Sequence, residues 1–466
     1  MSTKHSPQLE KAVSPEDRKA KGKAIRKEVP RSSHGEWSPP ADRQDPVDVI
    51  TSQDTDRVQW LVPIRHGRMS ESPFSFYRGA AKIMAADLSH TPRTGLTSQI
   101  CGDGHLANFG SYASPDRRQV FDVNDFDETL PGPWEWDLKR LAASVVLAGR
   151  DNGFDRSDIK PATLQSVAGY REAMAKFAEA GTVDIWYWQL SLEQIMNAMP
   201  TKQDQKRFKK GAKKARSKGS LKALSKLAEK VNGVYRIKSE PPLLLPLREL
   251  AGSQNPDDIK AQVDDSLSSY RSTLPDDRRV LFDRFTLVDI ALKVVGVGSV
   301  GTRCMIVLFQ GRDDQDPLFL QIKEATDSVL EDHLPTSRYK EHGKRVVEGQ
   351  RLMQASTDIF LGWTVHLDSK WHYYWRQFHD MKGSADVAAM NPEQLASYAR
   401  LCGSTLAHAH ARTGDPIAIA GYLGSGNAFD RAVADFAFAY ADQNDKDYKA
   451  FVAAIKSGKI EATTGE

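Results

Sequence analysis

The sequence predicts an α+β fold in two lobes. A length of 466 residues exceeds what one hydrophobic core of ordinary size covers. β-type patterning is concentrated in a single stretch, about 286–380. Long segments of helical spacing lie on both sides of that stretch.

The elements follow in order. Residues 1–45 are rich in Lys, Ser, Pro and Glu and poor in apolar side chains, which predicts a disordered leader. Residues 46–285 are expected to supply one part of a large lobe plus a helical insertion. Within them, Ala80-Ala81-Lys82-Ile83-Met84-Ala85-Ala86-Asp87-Leu88 reads as a helix. Leu96-Thr97-Ser98-Gln99-Ile100-Cys101 reads as a strand feeding a loop, and Val120-Phe121-Asp122-Val123 as another strand. Residues 137–150 carry Leu138, Leu141, Val145 and Ala148 on one helical face. Helices are expected through much of 156–285, with the Lys/Arg-rich run 202–226 as a solvated face. Residues 286–380 are expected to form a β-rich small lobe. Its strands are Cys304-Met305-Ile306-Val307-Leu308-Phe309, Leu318-Phe319-Leu320-Gln321-Ile322-Lys323 and Trp371-His372-Tyr373-Tyr374-Trp375-Arg376-Gln377-Phe378, with a helix at 338–353. Helices at 392–412 and 427–455 are expected to complete the large lobe within 381–466.

Composition narrows the class. Lys+Arg is 64 against 61 for Asp+Glu, and the resulting +3 calls for neither nucleic acid nor an anionic membrane as partner. Cys101, Cys304 and Cys402 form no CxxC pair, so neither a disulfide framework nor a cysteine zinc site is expected. No apolar stretch approaches the ~20 residues of a membrane span. The expected compartment is the cytoplasm.

Two short segments carry the densest chemistry. Cys101-Gly102-Asp103-Gly104-His105-Leu106-Ala107-Asn108-Phe109-Gly110 sets an Asp and an Asn five apart on one tight loop. Such a pair can orient and deprotonate a hydroxyl at Asp103 while Asn108 holds Mg²⁺ beside a phosphoryl group. Phe121-Asp122-Val123-Asn124-Asp125-Phe126-Asp127-Glu128 packs acids at a strand end, where they repel one another unless a cation sits among them. Asp125 is the preferred metal ligand, with Asp122 and Asp127 as alternatives. Asp137 opens the helix that follows and can brace the 101–110 loop or simply cap the helix.

The small lobe supplies the complementary groups. Gly296-Val297-Gly298-Ser299-Val300-Gly301 lies between two apolar runs that read as strands, so its Gly296, Gly298 and Gly301 suit a phosphate-covering hairpin rather than a Rossmann turn. Lys323 ends the next strand but one and is the candidate phosphate clamp. Glu341 and Glu348 are its possible ionic partners, Glu348 preferred. His408 and His410 sit two apart on an apparent helix, which points them to different faces and favours packing or loop bracing over joint chelation.

These motifs resemble those of the protein-kinase-like fold, and the Gly-Asp-x-His-x-x-Asn wording is closest to aminoglycoside- and choline-kinase-like enzymes. They fall in swapped order: the Asp103 loop and Asp125 turn precede the glycine hairpin, Lys323 and the 403–411 helix. The resemblance therefore implies a circularly permuted fold, cut between the 403–411 helix and the 96–101 strand. It implies an ATP- and Mg²⁺-dependent phosphotransferase acting on a small-molecule hydroxyl. Asp103 is then the base, Asn108 and Asp125 the metal ligands, and Lys323 with Glu348 the phosphate clamp. His105, Asp122, Asp127 and Asp137 are supporting residues. A metallophosphoesterase, nucleotidyl transfer and a non-catalytic nucleotide-binding regulator stay open. Residues 34–455 are also similar to the bacterial domain of unknown function 2252 family. Arg65-His66-Gly67-Arg68-Met69, Ser72-Pro73-Phe74, Tyr77-Arg78-Gly79, the 101–110 loop, Asn124-Asp125-Phe126-Asp127-Glu128 and Gly132-Pro133-Trp134-Glu135-Trp136-Asp137 carry that likeness. It implies no activity.

Overall fold

The strand Cys304–Gln310 is apolar at almost every position because it is covered on both faces. A computed structural model describes residues 13–463 apart from 198–201, 218, 251, 253–254, 365–370 and 379. In it this strand lies inside a six-stranded sheet. The order is Gly362–Thr364, His372–Gln377, Pro317–Ala325, Cys304–Gln310, Thr286–Lys293, Leu244–Pro246, and every neighbouring pair is antiparallel. Alternation sends Ile306 and Leu308 to one face, against Leu224, Leu227 and Ile237. It sends Val307 and Phe309 to the other, against Tyr270, Phe282 and Phe360.

The architecture is mixed α+β, as expected, but two features of 156–285 differ. The strands Ala228–Val231 and Val234–Ile237 form a hairpin closed by Asn232 and Gly233, with φ of 50° and 82°. An Asn-Gly between two valines is a strong hairpin signal. The strand Leu244–Pro246 then joins the edge of the six-stranded sheet, where its proline costs no ladder bond. The sheet therefore begins before residue 286, and residues 220–285 pack on it rather than on the large lobe.

The largest hydrophobic core is built on the helices Trp134–Asp151, Arg156–Phe177, Pro392–Ala411 and Ala428–Lys456. Asn391 and Gln394 form a capping box that starts Pro392–Ala411, with Pro392 in its first turn. That helix crosses Arg156–Phe177 closely: a Cβ on Gly403 would lie 1.9 Å from the Ser166 carbonyl oxygen. Two small sheets rest on these helices. One pairs Thr97–Ile100 with Leu130–Pro133, and the other joins Gly383–Ser384, Phe109–Ala113 and Gln119–Val123.

The expected disorder of the leader is not found over residues 13–45. Pro15–Ile25 is a helix and Arg31–Gly35 a turn of 3₁₀ helix. The basic residues that made this segment look solvated are its anchors. Arg18 pairs with Asp415 at 2.7 Å, and Arg26 and Arg31 donate to the carbonyls of Tyr422 and Leu423 at the end of the helix Pro416–Leu423. Cations there satisfy the orphan carbonyls of a helix terminus. His34 is buried on Tyr422, and Trp37 packs edge-on against Tyr440. Residues 1–12 lie outside the described residues. Among the described residues no helix is long and apolar enough to cross a membrane.

Candidate functional site

The loop after strand Thr97–Ile100 is held from below by one face of the helix Trp134–Asp151. Asp137 accepts the N–H groups of Cys101 at 2.7 Å and Gly102 at 2.9 Å. His410 approaches the same carboxylate at 3.2 Å, and its other ring nitrogen meets Tyr170 at 3.0 Å. Three residues on, Arg140 Nε donates to Asp103 Oδ1 at 2.6 Å, and four further on Ser144 accepts from the Leu106 N–H at 3.0 Å. Spacings of three and four put all three side chains on one helix face. Gly102 takes φ +79°, and a Cβ there would lie 2.6 Å from the Glu128 carbonyl oxygen, so the loop touches the acidic turn.

Asn108 joins the two segments. Its amide donates to the carbonyls of Asp103 at 3.0 Å and Asp125 at 3.1 Å, and its oxygen accepts the Asp125 N–H at 2.6 Å. All of its polar atoms are thus engaged in setting the distance between Asp103 and Asp125.

The strand Pro317–Ala325 delivers Lys323 to the acidic turn. Its ammonium lies 2.6 Å from Asp127 Oδ2 and 3.4 Å from Asp125 Oδ2. Tyr374, opposite Lys323 in the sheet register, donates to Asp127 Oδ1 at 2.7 Å. Arg376, on the same strand face, donates to Gln321 Oε1 at 3.0 Å and to the Asn124 carbonyl at 3.1 Å. Burial alone would raise the Asp125 carboxyl, but Lys323 and Arg376 outweigh it and hold it below the usual carboxylate range. Burial and the neighbouring Asp125 push Asp127 up. Burial would lower the Lys323 ammonium, yet the two acids keep it firmly charged.

Glu348 is not the partner of Lys323. It pairs with Arg351 at 3.0 Å on its own helix, His342–Met353, and Glu341 is the residue that precedes that helix. The helix reaches the acidic turn through Arg345 instead, which donates to the carbonyls of Asp127 at 2.7 Å and Thr129 at 2.8 Å. Asp122 also stands apart. Its carboxylate is buried on its own strand, accepts the Val123 N–H at 2.9 Å, and is pushed up to about 7 by burial. His105 lies 3.5 Å from Asp103, and burial lowers it to about 4, so it is neutral near pH 7. His408 Nε2 donates to the Ile185 carbonyl at 2.9 Å in the core, and braces packing rather than a cation.

The glycine hairpin takes the expected strand–loop–strand form, with φ of +68° at Gly296 and +89° at Gly301. It rests on the N-terminal helices. Arg68 donates to the Gly296 carbonyl at 2.6 Å, Val58 N–H to that of Gly301 at 2.8 Å, and a Cβ on Gly298 would lie 3.1 Å from the Arg78 carbonyl oxygen. Arg65 is structural, fully buried on Asp54 at 2.7 Å. Arg78, like Arg65, has its Nε buried without a hydrogen-bond partner among the described residues, and its guanidinium feels the charge of Asp103.

The donor set at the turn fits Mg²⁺. Asp125 and Asp127 are carboxylates, Asn108 offers a carbonyl, and Asp125 keeps 40% of its side chain exposed, which suits a hard cation that retains waters. A divalent ion there would relieve the acid–acid repulsion that Lys323 now relieves. A separate His/Asp/Glu grouping, Asp327, Glu331 and His342, has its ligand atoms within 4.8 Å of one another, with His342 Nε2 3.1 Å from Asp327. Sequence reasoning missed Arg140, Arg345, Tyr374 and Arg376. The signal for the last two was present: Gln321 and Lys323 alternate with apolar residues on one strand, as Tyr374 and Arg376 do on its neighbour.

No curated protein and no solved structure matches the chain. A family model does, over residues 57–454, and its description is an uncharacterized protein conserved in bacteria. That span includes the Asp103 loop, the acidic turn, the glycine hairpin and Lys323, and the chain belongs to this family, DUF2252.

Proposed function

We propose that the protein is an ATP-dependent phosphotransferase of protein-kinase-like architecture, circularly permuted, that phosphorylates a hydroxyl of a small molecule. The observation that carries the reading is the meeting of Lys323 with Asp125 and Asp127 across 198 and 196 residues of chain. Lys323 lies on the third strand of a meander whose first turn is glycine-rich, the position from which a kinase lysine pairs with nucleotide phosphates. The turn it meets is fixed to the Asp103 loop by Asn108.

In this reading Asp103 orients the acceptor hydroxyl and takes its proton. Arg140 holds Oδ1, and Oδ2, which lies 3.5 Å from His105 Nε2, is the oxygen for the acceptor proton. Lys323 binds phosphate oxygens, and the Gly296–Gly301 hairpin covers them with backbone N–H groups. Mg²⁺ on Asp125, with Asp127 or Asn108, would neutralise charge developing on the transferring group. Nucleotidyl transfer would use the same groups. The phosphoesterase reading loses support, because His408 and His410 are both committed to packing partners.

The test is a thermal-shift titration with ATP, with and without Mg²⁺, followed by turnover on a panel of hydroxyl acceptors. Bound nucleotide at 100 times its Kd should stabilise the fold by about 2.7 kcal/mol. Asp103→Ala should keep that shift and lose roughly 10²–10⁴-fold in turnover. ATP consumption equal to wild type in Asp103→Ala would remove Asp103 from the chemistry.

A further inference from the structure

Behind the acidic turn lies a second chamber that the phosphotransfer reading does not use. Its cavity volume is about 40 Å³, room for one small ion. Asn124, Gln350, Gln354, Asp358, Arg376 and Lys382 contribute to its walls, with Asp380 at the rim.

Charge accounting says what the chamber takes. Its two acids are already satisfied. Asp358 accepts the backbone N–H groups of Phe360, at 2.8 Å, and Gln377. Asp380 is paired with both of its oxygens 2.8 Å from Arg117 Nη1. The cations are not satisfied in the same way. Arg376 feels the charge of Asp125 and Asp127, but its hydrogen bonds go to the neutral oxygens of Gln321 and Asn124, and its Nη2 has no hydrogen-bond partner among the described residues. Lys382 has neither a hydrogen bond nor an ion pair there, and burial together with Arg376 lowers its ammonium to about 7. A cation in that position is destabilised until an anion joins it. The remaining orphan is an acceptor: Gln350 is 7% exposed, and its Oε1 is buried without a donor. Its amide nitrogen is spent on Gln354, whose own amide is spent on the Val123 carbonyl.

An uncompensated Lys382, a free Nη2 on Arg376 and one unsatisfied acceptor describe a ligand with anionic oxygens and one hydroxyl. We propose that the chamber is a phosphate site, in which Arg376 and Lys382 hold the oxygens of a phosphate group and Gln350 Oε1 accepts the proton of its remaining P–OH. The site depends on its own lining and not on the phosphotransfer reading. The phosphate can belong to the nucleotide or to a phosphorylated acceptor.

Inorganic phosphate is the probe, titrated by calorimetry against the full chain at constant ionic strength, with chloride as the reference anion. Wild type should bind phosphate and show no response to chloride. Lys382→Met should weaken binding at least 10-fold, Lys382→Arg should retain it, and Gln350→Glu should repel the anion without removing either cation. The same titration with Mg·ATP present separates the sources. Competition assigns the site to the nucleotide's phosphates, and independent binding assigns it to an acceptor. Absence of phosphate binding by wild type, or equal binding by Lys382→Met and Gln350→Glu variants that retain wild-type circular dichroism, would overturn the proposal. Loss of Mg·ATP binding in Lys323→Met with phosphate binding intact would leave this site standing whatever becomes of the phosphotransfer reading.

Discussion

Asp122 and Asp125 sit three residues apart and meet opposite environments. Asp125 has Lys323 and Arg376 to stabilise its charge, whereas Asp122 is buried and pushed up to about 7. A carboxyl whose folded value is raised contributes stability below its unfolded value near 4, and that contribution is lost as pH rises through about 7. Asp122→Asn should therefore stabilise the protein at pH 8, by on the order of 2–4 kcal/mol, and change little at pH 4. Urea unfolding at the two pH values measures this, and equal effects at both would contradict it. Histidines act with the opposite sign. Burial lowers His408 to about 4, so its contribution is present above 6.5 and lost as pH falls toward 4. Urea midpoints of His408→Gln against wild type should converge between pH 6.5 and 4. At this scale motif spacing pointed to Asp103, Asn108, Asp125 and Lys323, and hydrogen bonds and an ion pair bring them together. The partner of Lys323 was not legible. Glu348 has the right helix and the right charge, but its rotation about the helix axis is set by packing that spacing alone does not fix, and Arg345 faces the turn in its place.

Elements read well where patterning is strong and poorly where polar residues serve as anchors. The apolar strand Cys304–Gln310 and the helix Pro392–Ala411 were evident from period and length. The N-terminal segment was not, since Lys and Arg lower its apolar content while Arg18, Arg26 and Arg31 dock it by hydrogen bonds to one helix. Composition measures what a segment can bury, not what it can bridge. Removal of residues 1–45 should consequently lower the melting temperature by roughly 5 °C or more, since it uncovers Tyr422, Phe436 and Tyr440. An unchanged melting temperature would show that the docked segment contributes nothing. The Asn232-Gly233 hairpin was missed in favour of helix, although its turn residues signal it, and it lies where the chain begins to cover the six-stranded sheet.

For the whole molecule the informative fact is long-range convergence. The six-stranded sheet brings Lys323 to acids nearly 200 residues earlier, and the helices Trp134–Asp151 and Pro392–Ala411 brace the Asp103 loop through Asp137 and His410. The order of the motifs led to the expectation that the Lys323 strand meets the acidic turn, and Lys323 lies within hydrogen-bond reach of Asp125 and Asp127. That order could not predict how the insertion 220–285 would lie, since that segment carries none of the motifs. Calorimetric titration of Mg·ATP into wild type, Lys323→Met and Asp125→Asn tests the central claim most directly. Saturable, Mg²⁺-dependent binding to wild type with at least a 10-fold loss in both variants is the predicted result. Binding of equal strength in all three proteins, or none to wild type, would contradict a nucleotide site at the junction of the Lys323 strand and the Asp125 turn.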